Sequence, residues 1–495
     1  MDSNSTATET NKPRSPSLLD AAIPIVALVV MLGFTVYTFG LDSLGPNMVP
    51  MIVAAGIAGV IGIKNGIPWA VIEEGIVDTI RMGLRAVLIL MLVGALIGSW
   101  MLSGTVPTII YYGVQIVSPE FFYATACIVC AAVGISIGSS WTTAGTIGIG
   151  LMGIAGALGL NPVIAAGAII SGAYFGDKLS PLSDTTNLAA AVTNNDLFRH
   201  IQHMVWTTAP AITLALIAFT VLGLGAEGTA TLATIEQLNS TLNNNFTISP
   251  LMLIPLLVML AMAFKKLPAI TTLLISSLIG LIFAFVFQWP TVAASADMAD
   301  ASSPLVAYKA ALTAMYSGFS SDTGMVALDD LLSRGGISSM LPTVGLILCA
   351  LSFGGVMETT GLLVRIVEAM LRKVKTAGGL VAATVTTCLG TNILTADQYI
   401  SIVLPGRMYA QRFEQQGLDA RNLSRTLEDS GTLTSVLIPW NTCGAFMSAT
   451  LGVATFSYAP YAVFNWICPL LAIVYGYLHI KLPKLATANS EQAMP

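Results

Sequence analysis

Hydrophobic and polar positions along this chain are not mixed at the short period of a soluble fold. Long apolar runs recur from end to end, at 21–41, 47–63, 86–103, 205–225, 248–264, 267–289, 340–357 and 455–480. A helix needs about 20 apolar residues to cross the hydrocarbon core of a bilayer, so each run is a candidate span. Two stretches carry charge on one face and read as amphipathic connectors, 67–85 (Glu74, Asp78, Arg81, Arg85) and 308–333. Composition agrees: of 495 residues 55% are hydrophobic and 9% charged, against about 25% charged in a soluble domain. The chain predicts an all-α polytopic membrane protein without a separate soluble enzyme domain. No Walker-type phosphate loop is present, so transport driven by ion gradients is expected rather than an ATP-driven or enzymatic activity.

Basic residues set the expected topology. Lys12 and Arg14 place the N-terminus on the cytoplasmic side, and Lys481 and Lys484 place the C-terminus there. The segments 104–118 and 226–247 lack Lys and Arg and read as outside. The stretch 376–404 lies between two basic segments that both read as inside. A hairpin that enters and turns back resolves this, with its turn expected near Gly390-Thr391-Asn392. Irregular backbone at membrane depth is tolerated only where protein or water satisfies it, so the hairpin is expected to be a site element.

The two halves echo each other. Gly98–Gly104 matches Gly355–Gly361, Gly138–Ala144 matches Gly390–Ala396, and Asn187 matches Asn441, while the charges imply opposite orientation. In this register Gly145 stands opposite Asp397. The expectation is two inverted-topology repeats, each of about five spans plus a re-entrant hairpin, with broken helices at the midplane. The organisation predicted is a polar tail (1–20), a first repeat (21–225), an extracytoplasmic linker (226–247), a second repeat (248–480) and a C-terminal tail (481–495).

Chemistry gathers at the breaks. In the apolar stretch 162–192, Gly176 and Pro181 interrupt the helix, and Asp177, Ser180, Ser183, Asp184, Thr185, Thr186 and Asn187 supply oxygens of the kind a hard cation takes. Lys178 is the expected charge partner. Charges at membrane depth are costly and mark ion pathways. The second half offers Asn392, Thr395, Asp397, Asp429, Thr434, Asn441 and Thr442, with Glu428 beside them, and Glu428 and Asp429 read as either buried or interfacial. The first hairpin tip offers Ser139, Ser140 and Thr143. Glu358 reads as interfacial. The six cysteines read as core packing, and His200, His203 and His479 as interfacial or solvated, so no transition-metal site and no cofactor are expected.

The run Gly172-Ala173-Tyr174-Phe175-Gly176-Asp177-Lys178-Leu179-Ser180-Pro181-Leu182-Ser183-Asp184-Thr185-Thr186-Asn187-Leu188-Ala189 resembles the signature of the NhaC sodium/proton antiporter family. Weaker likeness extends over about 21–480. The resemblance implies Na⁺ exchanged for H⁺ in a bacterial inner membrane, with Asp177 and Asp184 as the acidic members of the motif. That family also includes malate/lactate antiporters, so a Na⁺-coupled carrier of a small organic carboxylate or an amino acid is the alternative. The partners implied are Na⁺, H⁺, a bilayer, a small organic anion in the alternative and, by analogy, a second copy of the chain; nucleic acid is not among them.

Overall fold

The computed structural model describes residues 14–39, 45–225, 232–265, 267–298, 305–371 and 374–485. Apart from an isolated bridge between Leu418 and Lys484, their regular structure is helical. Seven helices are long and apolar enough to cross a membrane, or nine when two bent pairs each count as one span. Their outward faces are apolar: Leu18–Phe39 exposes Val26, Val29, Phe34 and Tyr37. Polar side chains such as Ser99, Thr207 and Ser276 are buried instead. This reversal is what lipid as solvent requires, and the chain is a polytopic helical membrane protein.

Several boundaries differ from the sequence reading. The connector 67–85 and the span 86–103 form one helix, Trp69–Leu102, of 34 residues. At about 1.5 Å per residue it is roughly 51 Å long, more than the ~30 Å hydrocarbon core. Its charged first half, with Glu74, Asp78, Arg81 and Arg85 exposed, therefore extends past the apolar layer. The connector 308–333 contains two short helices, Leu305–Tyr316 and Val326–Leu332. His200 and His203 are buried rather than solvated, and neither ring nitrogen of His200 has a partner. Five of the six cysteines are buried and all are free, in keeping with packing roles. Among the described residues no His/Cys/Asp/Glu group could hold a metal ion.

The second hairpin turns six residues later than expected. Ala377–Thr395 runs unbroken through Gly390, and Thr391 and Thr395 donate back to the carbonyls of Thr387 and Thr391, both at 2.9 Å. The break falls at Ala396, in the left-handed region at φ 58°, and Asp397 starts the helix Gln398–Gln415. Asp397 Oδ1 accepts from the backbone N–H of Tyr399 (2.8 Å) and Ile400 (3.1 Å), a helix N-cap. The arms lie side by side: Ser401 Oγ donates to Cys388 O at 2.7 Å, and the hydroxyls of Thr387 and Tyr409 meet at 2.7 Å.

The first hairpin is built the same way. Phe122–Ile137 ends at Gly138 (φ 71°), and Ser139 caps the next helical run, Ser140–Thr143, which continues through a π-helical turn, Ala144–Gly148, into Ile149–Ala157. The capping positions recur: Ser139 and Asp397, Asn161 and Asp419, Ser183 and Asn441, and Asp196 and Ala454 are each separated by 258 positions. This offset differs from the register read from the sequence: it sets Ser139, not Gly145, opposite Asp397, and Ser183, not Asn187, opposite Asn441. Glycines and asparagines were aligned there by identity, whereas the shared feature is the cap.

Candidate functional site

The site begins with two helices that touch backbone to backbone. A Cβ on Gly172 would lie 2.1 Å from Cys127 O, and one on Gly176 would lie 2.5 Å from Ala131 O. These two glycines let Pro162–Leu179 press against Phe122–Ile137 and bring Asp177 to the hairpin tip. There Asp177 Oδ2 accepts from the backbone N–H of Ser140 at 2.9 Å. The helix stops at Ser180, since Pro181 has no N–H to continue it. Ser183 then caps Asp184–Val192.

Several side chains expected at the cation site also form hydrogen bonds across this break. Asn187 Nδ2 donates to Pro181 O (2.9 Å) and Ser183 O (2.8 Å), Thr186 Oγ1 donates to Lys178 O (3.0 Å), and Ser180 Oγ accepts from Leu182 N (3.3 Å). In the second half Asn392 Nδ2 donates to Gly431 O (2.7 Å) and Thr434 Oγ1 (3.0 Å), and Asn441 Nδ2 donates to Asn392 Oδ1 (3.0 Å). Thr442 N donates to Ala396 O at 2.9 Å, which ties the two second-half breaks together. Thr143 and Thr395 donate their hydroxyl protons to carbonyls one turn back.

All four breaks meet at one cavity of about 620 Å³. Ser139, Ser140, Asp177, Asp184, Thr185, Asp397 and Thr442 line it, with Arg85, Trp141, Thr142, Gln398 and Tyr399. Sequence reasoning singled out the first seven as site residues and passed over Gln398 and Tyr399, whose signal was only their place just after Asp397. Arg85 was set aside as a solvated charge. It is exposed, but its Nη1 lies 3.5 Å from Asp184 Oδ2, so the pair stands at the wet edge of the cavity. Asp177 and Asp397 are nearly fully buried, and neither makes an ion pair among the described residues.

Lys178 and Asp429 lie elsewhere, in a sealed cluster. The Lys178 ammonium pairs with Asp429 Oδ1, both side chains having no solvent exposure. Thr207 Oγ1 (3.0 Å) and Cys468 Sγ (3.2 Å) donate to the same oxygen, and Arg425 Nε lies 3.9 Å from Oδ2. Glu428 is fully buried beside them, with no partner on either oxygen. Residues Glu428–Thr432 form a second π-helical turn, a local widening often found at functional sites.

A transmembrane chain whose broken helices converge on an acidic, solvent-reaching cavity belongs to the class of ion-coupled membrane carriers. Comparison with known proteins makes this specific. The profile described as the Na⁺/H⁺ antiporter family matches residues 172–480. The Na⁺/H⁺ antiporter NhaC of Alkalihalophilus pseudofirmus is 39% identical over 93% of this chain and 96% of its own length. The malate-2H⁺/Na⁺-lactate antiporter of Bacillus subtilis is 38% identical over 94% and 95%. The arginine/ornithine antiporter ArcD of Halobacterium salinarum is 36% identical over 95% and 93%. This chain therefore belongs to the Na⁺/H⁺ antiporter family, in the NhaC group.

Proposed function

We propose that this chain exchanges Na⁺ for H⁺ by alternating access, with Asp177 and Asp397 as the groups at which the two ions compete. The observation that carries this reading is the 620 Å³ cavity, which gathers both hairpin tips and both signature breaks around two buried carboxylates that lack a cationic partner. An ionised carboxylate attracts Na⁺, a hard cation that prefers oxygen ligands. A protonated one has lost that attraction. Binding of either ion therefore displaces the other, and each neutralises a charge that is costly at membrane depth. Thr185 and Thr442 offer hydroxyl oxygens in the same cavity, and Arg85 holds Asp184 at its mouth. The remaining oxygens of the signature, from Ser180 to Asn187, fix the shape of the break.

The recurrence of capped breaks at a constant offset supports two repeats, 21–225 and 248–480, joined by 226–247. Their opposite orientation follows from the distribution of basic residues. The cavity opens beside Arg85 and Leu267, near segments whose charges place them inside, so this conformation faces the cytoplasm. The membrane is the bacterial inner membrane, with both termini inside. Burial of Lys178 against Asp429 argues against Lys178 as the anchor of an organic anion. The test is proton movement in proteoliposomes after a Na⁺ pulse, with no organic solute. Na⁺-driven proton flux is expected. Silence from protein that demonstrably transports something else would overturn the proposal.

A further inference from the structure

A second cavity, of about 500 Å³, lies apart from the one described above. It shares three helical segments with the first cavity but lies further along each. On Trp69–Leu102 the first cavity meets Met82, Arg85 and Ile89, and the second meets Ile97 and Met101. From Arg85 to Ile97 the rise is roughly 18 Å. On the run after the first hairpin the contacts move from Ser140–Thr142 to Ile149–Gly153, and on Thr442–Leu451 from Thr442 to Ala449–Thr450. Between the two cavities stand Trp141 stacked on Phe446, with ring centroids 4.2 Å apart, and Gly145, whose Cβ would touch Val93 at 3.3 Å.

The second cavity holds a cationic side chain that no described carboxylate pairs with at salt-bridge distance, although the charge of Asp330 acts on it from further away. Arg334 lines it with Ser317, Ser333, Ser339 and Thr450. The Arg334 guanidinium forms neither an ion pair nor a hydrogen bond with any described side chain or carbonyl, and its Nη1 would stand 2.7 Å from a Cβ on Gly452. Thr450 Oγ1 is buried and also has no partner. The loop that presents Arg334 is pinned. Gly336 N donates to Gly94 O at 2.7 Å, and a Cβ on Gly335 would lie 2.4 Å from Gly98 N, at a left-handed φ of 92°. Just after it begins the helix Ile337–Thr359, which has no side-chain cap; first-turn N–H groups of a helix favour negative charge. A planar guanidinium with free donors matches a carboxylate in a bidentate fork. The volume falls within the range of about 300–1,000 Å³ usual for small-molecule pockets.

We infer that the Arg334 cavity binds a small organic carboxylate, at the end of the helices opposite to the Na⁺ cavity. Binding is tested without flux, so the outcome does not depend on the exchange reading. The purified full chain in nanodiscs of zwitterionic lipid is titrated calorimetrically with L-malate. Saturable heat is expected for the wild type. Arg334→Gln should weaken affinity at least tenfold, Arg334→Lys should fall between, and Thr450→Val should weaken it two- to fivefold. Each variant is first checked for native elution and helical circular dichroism; if Arg334→Gln fails there, the Lys and Val variants carry the test. Absence of saturable heat with the wild type, or wild-type affinity in Arg334→Gln, overturns the inference. So does a response to added phosphatidylglycerol but not to malate, which would make the cavity a lipid-headgroup site.

Discussion

Asp177 and Lys178 are neighbours on one helix, yet they belong to different regions. Successive residues of a helix point about 100° apart. Asp177 therefore reaches the cavity beside Ser140, while Lys178 turns into the sealed cluster beneath. In the cavity, Asp177 and Asp397 stand without fixed cations, and the Arg85–Asp184 pair marks its exposed edge. In the cluster, Asp429 is held by Lys178, Thr207 and Cys468, with Arg425 close by and no solvent contact. Under the proposed exchange, these surroundings set apart the acids that can take up an ion from those that cannot. A carboxylate already neutralised by a buried lysine offers Na⁺ nothing it does not have, whereas one held only by a backbone N–H needs a counter-ion.

That distinction can be attacked from either side. The largest effect is expected from Lys178→Met, which strands Asp429 in the interior. Loss of one partner of a buried pair costs about 3–5 kcal/mol, so the variant should show a strongly lowered melting temperature or no monodisperse protein at all. Adding Asp429→Asn should restore much of the folded yield. Equal damage from the double and single variants would mean that the pair is not the element at risk.

Asp177→Asn should do the reverse. The amide oxygen can still accept from Ser140 N, so folding should hold, while Na⁺-driven proton flux should fall at least tenfold. Asp397 separates two roles on one residue. Asp397→Asn keeps a good N-cap but removes the charge, and should lower flux as Asp177→Asn does with little change in melting. Asp397→Ala loses the cap as well, a further cost of about 0.5–2 kcal/mol. If both Asp397 variants melt and transport alike, the cap and the charge have not been separated. The smallest effect belongs to Arg85→Gln. Exposed ion pairs contribute about 0–1 kcal/mol, so stability should barely move. The apparent affinity for Na⁺ should change two- to threefold, and that change should shrink at high salt.

How much of this was legible in the sequence depends on what each residue signals. Apolar runs and breaks by Gly and Pro gave the membrane class and the signature break. The location of the second hairpin turn was not legible, because Gly390 and Asn392 look like turn residues yet lie inside the helix Ala377–Thr395. Ala396 has no turn preference of its own; it takes the left-handed position because Asp397 caps the next helix. The pairing of Lys178 with Asp429 joins residues 251 positions apart, and no local pattern announces it. Arg334 was passed over for a similar reason. It follows the connector 308–333 as a lone charge, and only the fold brings it to the same cavity as Thr450.

Competition between Na⁺ and a proton at the cavity carboxylates can be read in a single experiment. Calorimetric titration of the purified protein with Na⁺, repeated in two buffers of different ionisation enthalpy, measures the protons released per Na⁺ bound. Proton release on Na⁺ binding is expected from the wild type, should fall in Asp177→Asn and should be abolished when Asp397→Asn is added. Na⁺ binding with no proton release, or the same release from the double variant, would rule out exchange at these carboxylates.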